Sequence, residues 1–197
     1  MRRSLLATAA AAVLAASAST ASAASYSYSF TQLLDGTTIA PVASLTIEDV
    51  AGGARFTLVG EFDEWGSSAF LGGLEFNGPE GTVDGLSGNA MRMEPTYGSH
   101  TNASYTFTWE VRFPVSNEPG SDRFLNGDSA SWTILGDGIH AGSFAGTALV
   151  HLQGLGPNGE DSLKVTTMIP EPSTYALLLA GLAGTGLWVR RRQRLSE

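Results

Sequence analysis

One histidine lies close in the sequence to possible partners for nucleophilic catalysis. His140 is three residues from both Asp137 and Ser143, and these are the residue types of a serine hydrolase triad. Such triads are assembled by the fold rather than by neighbouring residues, and no Gly-x-Ser-x-Gly turn accompanies the serine. We therefore interpret His140 as a loop histidine and expect no catalytic residue and no enzyme activity.

The sequence contains no recognisable metal motif. It has no cysteine, which excludes thiolate sites, and no His-x-His or His-Glu-x-x-His spacing. Carboxylates cluster at residues 61–64, 122–128 and 160–161, but none of these segments has the EF-hand pattern. We expect no cofactor, with calcium held by these acidic loops as the alternative. A glycosidase pair drawn from the same carboxylates is a second alternative, because a sequence does not show their separation.

Exposed aromatic side chains can stack on sugar rings, and Trp65, Tyr97 and Trp132 are the residues considered for this role. Trp132 shares a strand face with Ile134, which indicates a core position. Trp65 lies in a polar, glycine-containing stretch. It is therefore the only tryptophan that we consider for glycan contact, with ordinary packing under a loop as the alternative.

The charges divide the 197-residue chain into three parts. Its net charge is −8, which argues against nucleic-acid binding. Six of the 11 basic residues lie near the two ends, whereas residues 24–169 hold five basic residues against 17 acidic ones. Basic clusters beside apolar segments are typical of membrane-contacting ends. We expect an acidic body between two such ends.

The N-terminus has the features of a secretory signal. Arg2 and Arg3 precede an apolar run over residues 5–16, and Ala21-Ser22-Ala23 offers a small-residue cleavage site. The run would be about 18 Å long as a helix, too short for a hydrocarbon core of about 30 Å. We expect cleavage after Ala23, so that the mature chain begins at Ala24.

The C-terminus carries a second apolar segment. No charged side chain occurs over residues 172–189, and four arginines follow at Arg190, Arg191, Arg192 and Arg194. Residues 173–189 would span about 26 Å as a helix, near the lower limit for crossing a membrane. The arginines stop transfer and stay in the cytoplasm, which leaves residues 24–169 outside.

The triplet Pro170-Glu171-Pro172 precedes this segment, and its prolines favour an extended conformation. The tail over residues 170–197 combines this triplet with a short apolar helix and a cluster of arginines. In this combination it resembles a PEP-CTERM sorting domain. The resemblance implies a Gram-negative bacterium, an exosortase as processing partner and a transient stay in the inner membrane. It also implies a link to exopolysaccharide and the extracellular matrix, at the cell surface.

The middle region has the pattern of an all-β domain. Residues 104–113 alternate apolar and polar side chains, which predicts a half-buried strand. Seven weaker strands are predicted around Tyr28, Leu45, Leu58, Leu74, Trp132, Val150 and Val165, and six Asn-Gly or Asp-Gly dipeptides mark turns. We expect an antiparallel two-sheet sandwich of the jelly-roll type over residues 24–169.

Two functions of different classes follow from these features. The favoured one is an exported surface or matrix protein without enzymatic activity, structural or adhesive in association with exopolysaccharide. The alternative is a secreted carbohydrate-binding or polysaccharide-active protein that carries the same tail. Two converging carboxylates with raised pKa values in a cleft would favour an enzyme.

Overall fold

The computed structural model describes residues 24–116 and 122–167, apart from the side chains of residues 90 and 91. These residues form ten β-strands and three short 3₁₀ turns, Asp63–Trp65, Asn89–Arg92 and Ala141–Phe144. The strands are β1 (Ser25–Leu33), β2 (Thr38–Val50), β3 (Gly53–Gly60), β4 (Phe70–Phe76), β5 (Thr82–Gly88), β6 (Glu94–Asn102), β7 (Tyr105–Arg112), β8 (Ser129–Leu135), β9 (Leu149–Leu155) and β10 (Asp161–Thr167).

All ten strands of the described part belong to one hydrogen-bonded sheet. Their order is β5-β8-β3-β2-β1-β10-β9-β4-β7-β6, and every neighbouring pair runs antiparallel. The predicted all-β, antiparallel class is therefore confirmed.

The architecture differs from the predicted sandwich of two sheets. β1 pairs with β10, with Phe30 opposite Thr167, and this ladder joins two five-strand halves into a single, nearly barrel-shaped sheet. The pairing connects the first and last described strands of the chain. It could not be predicted from the sequence because it leaves no mark on the local alternation of either strand.

The sheet curls around one aromatic core. The ring of Phe56 on β3 lies 5.1 Å from the ring of Phe76 on β4, although four strands separate β3 from β4 in the sheet. Phe144 from the turn Ala141–Phe144 packs edge-on against Phe56 at 4.8 Å. Trp132 stacks on Phe56 from the neighbouring strand β8. The two halves of the sheet therefore face each other across these rings.

The alternation in the sequence predicts the inward faces correctly. Each of the eight predicted strands is present, and Trp109 and Trp132 are buried, as their strand patterns predict. Four of the six predicted Asn-Gly or Asp-Gly turns are present with the glycine at positive φ, namely at Gly36, Gly127, Gly138 and Gly159. The predictions at Asp84-Gly85 and Asn77-Gly78 are wrong: the first dipeptide lies inside β5, at the irregularity in its register, and the second is not in a turn.

Two strands, β5 and β6, were not predicted from the sequence. They form the two edges of the sheet, and no residue of β5 is buried. Both edges carry features that discourage pairing with another chain: each strand contains an irregularity in its register, and Pro95 lies in β6.

Within the described residues, no helix is long and apolar enough to cross a membrane. The predicted signal peptide over residues 1–23 and the predicted C-terminal span lie outside these residues.

Candidate functional site

The predicted cleavage site adjoins the first strand. Ala24 is exposed and is followed directly by β1. Its backbone N–H donates to Asp49 Oδ2 at 3.1 Å, and its carbonyl oxygen accepts the Asp49 backbone N–H at 3.0 Å. Ala21 and Ala23 lie outside the described residues, as do the sorting triplet Pro170-Glu171-Pro172 and the arginines at 190–192 and 194.

The histidine with possible catalytic partners is part of a turn. His140 precedes the 3₁₀ turn Ala141–Phe144 and is exposed. Ser143 Oγ accepts the backbone N–H of His140 at 3.2 Å, and Ser143 N donates to the His140 carbonyl oxygen at 2.9 Å. The serine hydroxyl therefore stabilises the turn, which agrees with the interpretation of His140 as a loop residue.

Trp65, the residue considered for glycan contact, is less exposed than its polar neighbours indicate. It ends the turn Asp63–Trp65, is partly buried and packs against the core. Its indole N–H is buried and has no hydrogen-bond partner. Trp65 thus presents only part of its ring to solvent, and its contact with a glycan stays a prediction.

The acidic clusters named in the sequence mostly support loops. Asp128 Oδ2 accepts the backbone N–H of Leu125 at 2.7 Å and Asn89 Nδ2 at 3.1 Å. Asp122 forms an exposed ion pair with Arg92 at 2.9 Å. Across residues 24–116 and 122–167, no three His, Asp or Glu side chains are grouped in a way that could hold a metal ion.

The densest group of ionisable side chains lies on the outer face of the sheet. Glu75 of β4 is directly opposite Glu110 of β7, and Asn102, near the end of the β6–β7 hairpin, donates to Glu75 Oε1 at 2.5 Å. Lys164 Nζ of β10 donates to the Asn102 side-chain oxygen. His100 Nδ1 is 3.2 Å from Glu110 Oε2. We call these five residues the outer-face cluster.

The outer-face cluster surrounds the carboxylate of Glu75, and this environment disfavours its charged form. Glu75 is only 7% exposed, and this burial is the largest cause that raises its pKa above the ordinary value. The hydrogen bond from Asn102 opposes the shift, as do the charges of Lys164 and His100, whereas the charge of Glu110 adds to it. Glu75 Oε2 and His100 Nε2 are both buried and have no hydrogen-bond partner.

The hydrogen bonds of the outer-face cluster connect the β6–β7 hairpin to β4 and β10. Both oxygens of Glu110 accept hydrogen bonds from Arg112, each at 2.9 Å. Asn102 connects β4 to β10 through its two side-chain bonds. One surface cleft of about 400 Å³ lies beside Gly88, Asn89, Arg92 and Asp122, and another of about 350 Å³ lies beside residues 33–35 and 162–164, where Lys164 of the cluster lines it. Glu75 lines neither cleft.

The sequence pattern missed this cluster for an identifiable reason. Glu75 alternates with Leu74 and Phe76, which predicts an outward and solvated side chain, and the hairpin then covers it. His151 shows the same effect: it lies between two core residues, yet burial, followed by the charge of Lys164, lowers its pKa. The sequence feature that could have indicated the buried carboxylate is an outward-facing glutamate between two strongly apolar residues.

Comparison with known proteins identifies the tail. Residues 169–193 match the PEP-CTERM protein-sorting motif, which confirms the resemblance seen in the triplet and the arginines. No curated protein and no solved structure shows significant similarity to the chain. The motif indicates an exported protein that is sorted by an exosortase.

Proposed function

We propose that this chain is the precursor of an exported surface or extracellular-matrix protein. A signal peptide over residues 1–23 directs export, the domain over residues 24–169 folds outside the inner membrane, and an exosortase processes the tail over residues 170–197. The domain acts as a structural or adhesive component in association with exopolysaccharide.

The observation that carries the export route is the position of the two ends of the sheet. β1 begins at Ser25, two residues after the predicted cleavage position, and β10 ends at Thr167, two residues before the matched tail begins. Because β1 and β10 are antiparallel neighbours, β10 runs towards the end of the sheet at which β1 begins, and its last residue, Thr167, lies opposite Phe30. Both targeting segments are therefore joined to strand ends that point in the same direction, which suits attachment to a single membrane surface.

A structural role is supported by the state of the paired carboxylates. A glycosidase needs two carboxyl groups that converge on a cleft with room for substrate. Glu75 is covered by the hairpin, and Glu110 is engaged by Arg112 at both oxygens. Three of the four oxygens of this directly opposite pair are thus engaged by side chains of the domain.

The export route is tested by mass spectrometry of the protein exported by its native host. The proposal predicts an N-terminus at Ala24. In a strain without its exosortase, the full tail should stay with the inner membrane. Retention of Met1 in exported material, or release of the protein without an exosortase, would contradict the proposed route.

The role of the domain is tested by sedimentation of the exported protein with exopolysaccharide from the same host. A structural or adhesive component should sediment with the polysaccharide, and the chain length of the polysaccharide should stay unchanged. Shortening of the polysaccharide would favour the polysaccharide-active alternative. Binding that is lost in Trp65→Ala but kept in Trp132→Phe would favour a lectin that uses Trp65.

A further inference from the structure

The carboxylate of Asp49 connects the start of the mature chain to a turn that is distant in sequence. One oxygen, Oδ2, accepts the backbone N–H of Ala24 at 3.1 Å, and the other, Oδ1, accepts the backbone N–H of Ala141 at 2.6 Å. Asp49 lies on β2 in the same alternation as the core residues Leu45 and Ile47. Its side chain therefore lies at the end of the core that the turn Ala141–Phe144 covers.

Cleavage after Ala23 changes the chemistry of the first of these contacts. Hydrolysis of the Ala23–Ala24 peptide bond consumes one water. Its oxygen forms the new carboxylate of Ala23, and the nitrogen of Ala24 becomes an amine that takes up a proton at neutral pH. A neutral amide donor is thereby replaced by an ammonium group, and a charge-assisted hydrogen bond to a carboxylate is stronger than a neutral one.

We propose that Asp49 is the binding site for the α-ammonium group that signal-peptide removal creates at Ala24. The inference rests on the proposed cleavage after Ala23. Removal of the signal peptide then completes an ion pair that ties the start of β1 to the turn Ala141–Phe144 through one carboxylate. The precursor has only the neutral hydrogen bond at this position, so maturation itself strengthens this end of the domain.

Backbone hydrogen bonds and the neighbouring His140 favour an ionised Asp49. The pKa of Asp49 is lowered, with the hydrogen bond from Ala141 as the largest cause and the bond from Ala24 and the charge of His140 as further ones. Tyr26 of β1 and Glu48 of β2 are the titratable groups of these two strands next to Asp49, and Glu48 lies opposite Arg55 of β3. The carboxylate that accepts a hydrogen bond from the nitrogen of Ala24 is that of Asp49.

The test uses the chain from Ala24 to Glu197 in detergent, released from a fusion by a protease that leaves no extra residue. Reductive methylation with ¹³C-formaldehyde labels its amines, and this chain has a single lysine, Lys164, so the α-amine gives its own resonance. We expect that labelled amine to titrate above its ordinary range, and the free amine of a separate, unlabelled sample to be acylated about three- to tenfold more slowly than in Asp49→Asn.

Two comparisons make the outcome decisive. A chain that keeps Ala23 moves the ammonium by one residue and should titrate as Asp49→Asn does, whereas Asp63→Asn, at an exposed site on another turn, should behave as the unchanged chain. Equal titration in the unchanged chain and in Asp49→Asn would overturn the proposal. A native N-terminus other than Ala24 would instead contradict the cleavage in the proposed function, because Asp49 binding is measured here on a defined N-terminus.

Discussion

The contact between Phe56 and Phe76 is the most direct consequence of the curled sheet, and it can be tested by a double-mutant cycle. The two strands that carry these rings are separated by four others, yet the ring centroids are 5.1 Å apart. Both side chains are buried, with 0% and 2% exposure. In a flat sheet, these rings would not touch.

The expected magnitudes follow from this geometry. Phe→Leu at either position leaves a small cavity and should lower the free energy of unfolding by about 1–2 kcal/mol, less than the roughly 3–5 kcal/mol of Phe→Ala. An aromatic pair in contact contributes about 0.5–1.5 kcal/mol beyond its area. The double variant should therefore lose about 1 kcal/mol less than the sum of the single losses.

The assay is urea unfolding at pH 7 of the exported chain, with the same cycle on Phe56 and Phe113 as the control. The ring of Phe113 packs on Phe124. The losses in free energy of unfolding from substituting Phe113 and Phe56 should therefore add to within about 0.5 kcal/mol. Additive losses for Phe56 and Phe76 would refute the contact and, with it, the packing of the two halves of the sheet against each other.

Two further predictions concern stability. Because the folded-state pKa of Glu75 is raised, its stabilising contribution is present below the ordinary value of 4.5 and is lost as pH rises through the raised pKa. At pH 8, Glu75→Gln should therefore have a free energy of unfolding at least as high as that of the unchanged chain, and any gain over the unchanged chain should disappear near about pH 4. A lower free energy of unfolding for Glu75→Gln at pH 8, measured in urea, would contradict this. Gly53→Ala places a Cβ 2.2 Å from the Ile134 carbonyl oxygen and should lower the free energy of unfolding by about 2–4 kcal/mol. Gly146→Ala, where the space around the Cβ is open, should lower it by less than about 1 kcal/mol. Equal losses in the two variants would argue against the β3–β8 packing.

The sequence is sufficient to predict the strands that have one buried face. Tyr28 and Phe30 alternate with serines, and Trp132 and Ile134 alternate with Ser131 and Thr133, because one side of each strand meets the core. β5 and β6 leave no such pattern. As edge strands they bury little, and the sequence predicts no strand at either place.

Sheet closure and the outer-face cluster depend on contacts between distant segments. The β1–β10 ladder sets the single sheet, but pairing partners are not written into the alternation of either strand. Glu75 is buried where Asn102 of the β6–β7 hairpin, 27 residues further along the chain, donates to its carboxylate. The tail could be identified from the sequence because a sorting signal is read as a linear segment, and the PEP-CTERM match confirms that part.

The central claim, that the tail makes this chain an exosortase substrate, is tested most directly by following the C-terminus of Glu171→Ala in the native host. Intact-mass analysis of the inner-membrane and exported fractions should show that the unchanged chain and Glu197→Ala, a carboxylate substitution outside the triplet, both lose the tail. Glu171→Ala should keep residues 170–197 and stay with the inner membrane. Equal tail removal in Glu171→Ala and the unchanged chain would contradict the claim.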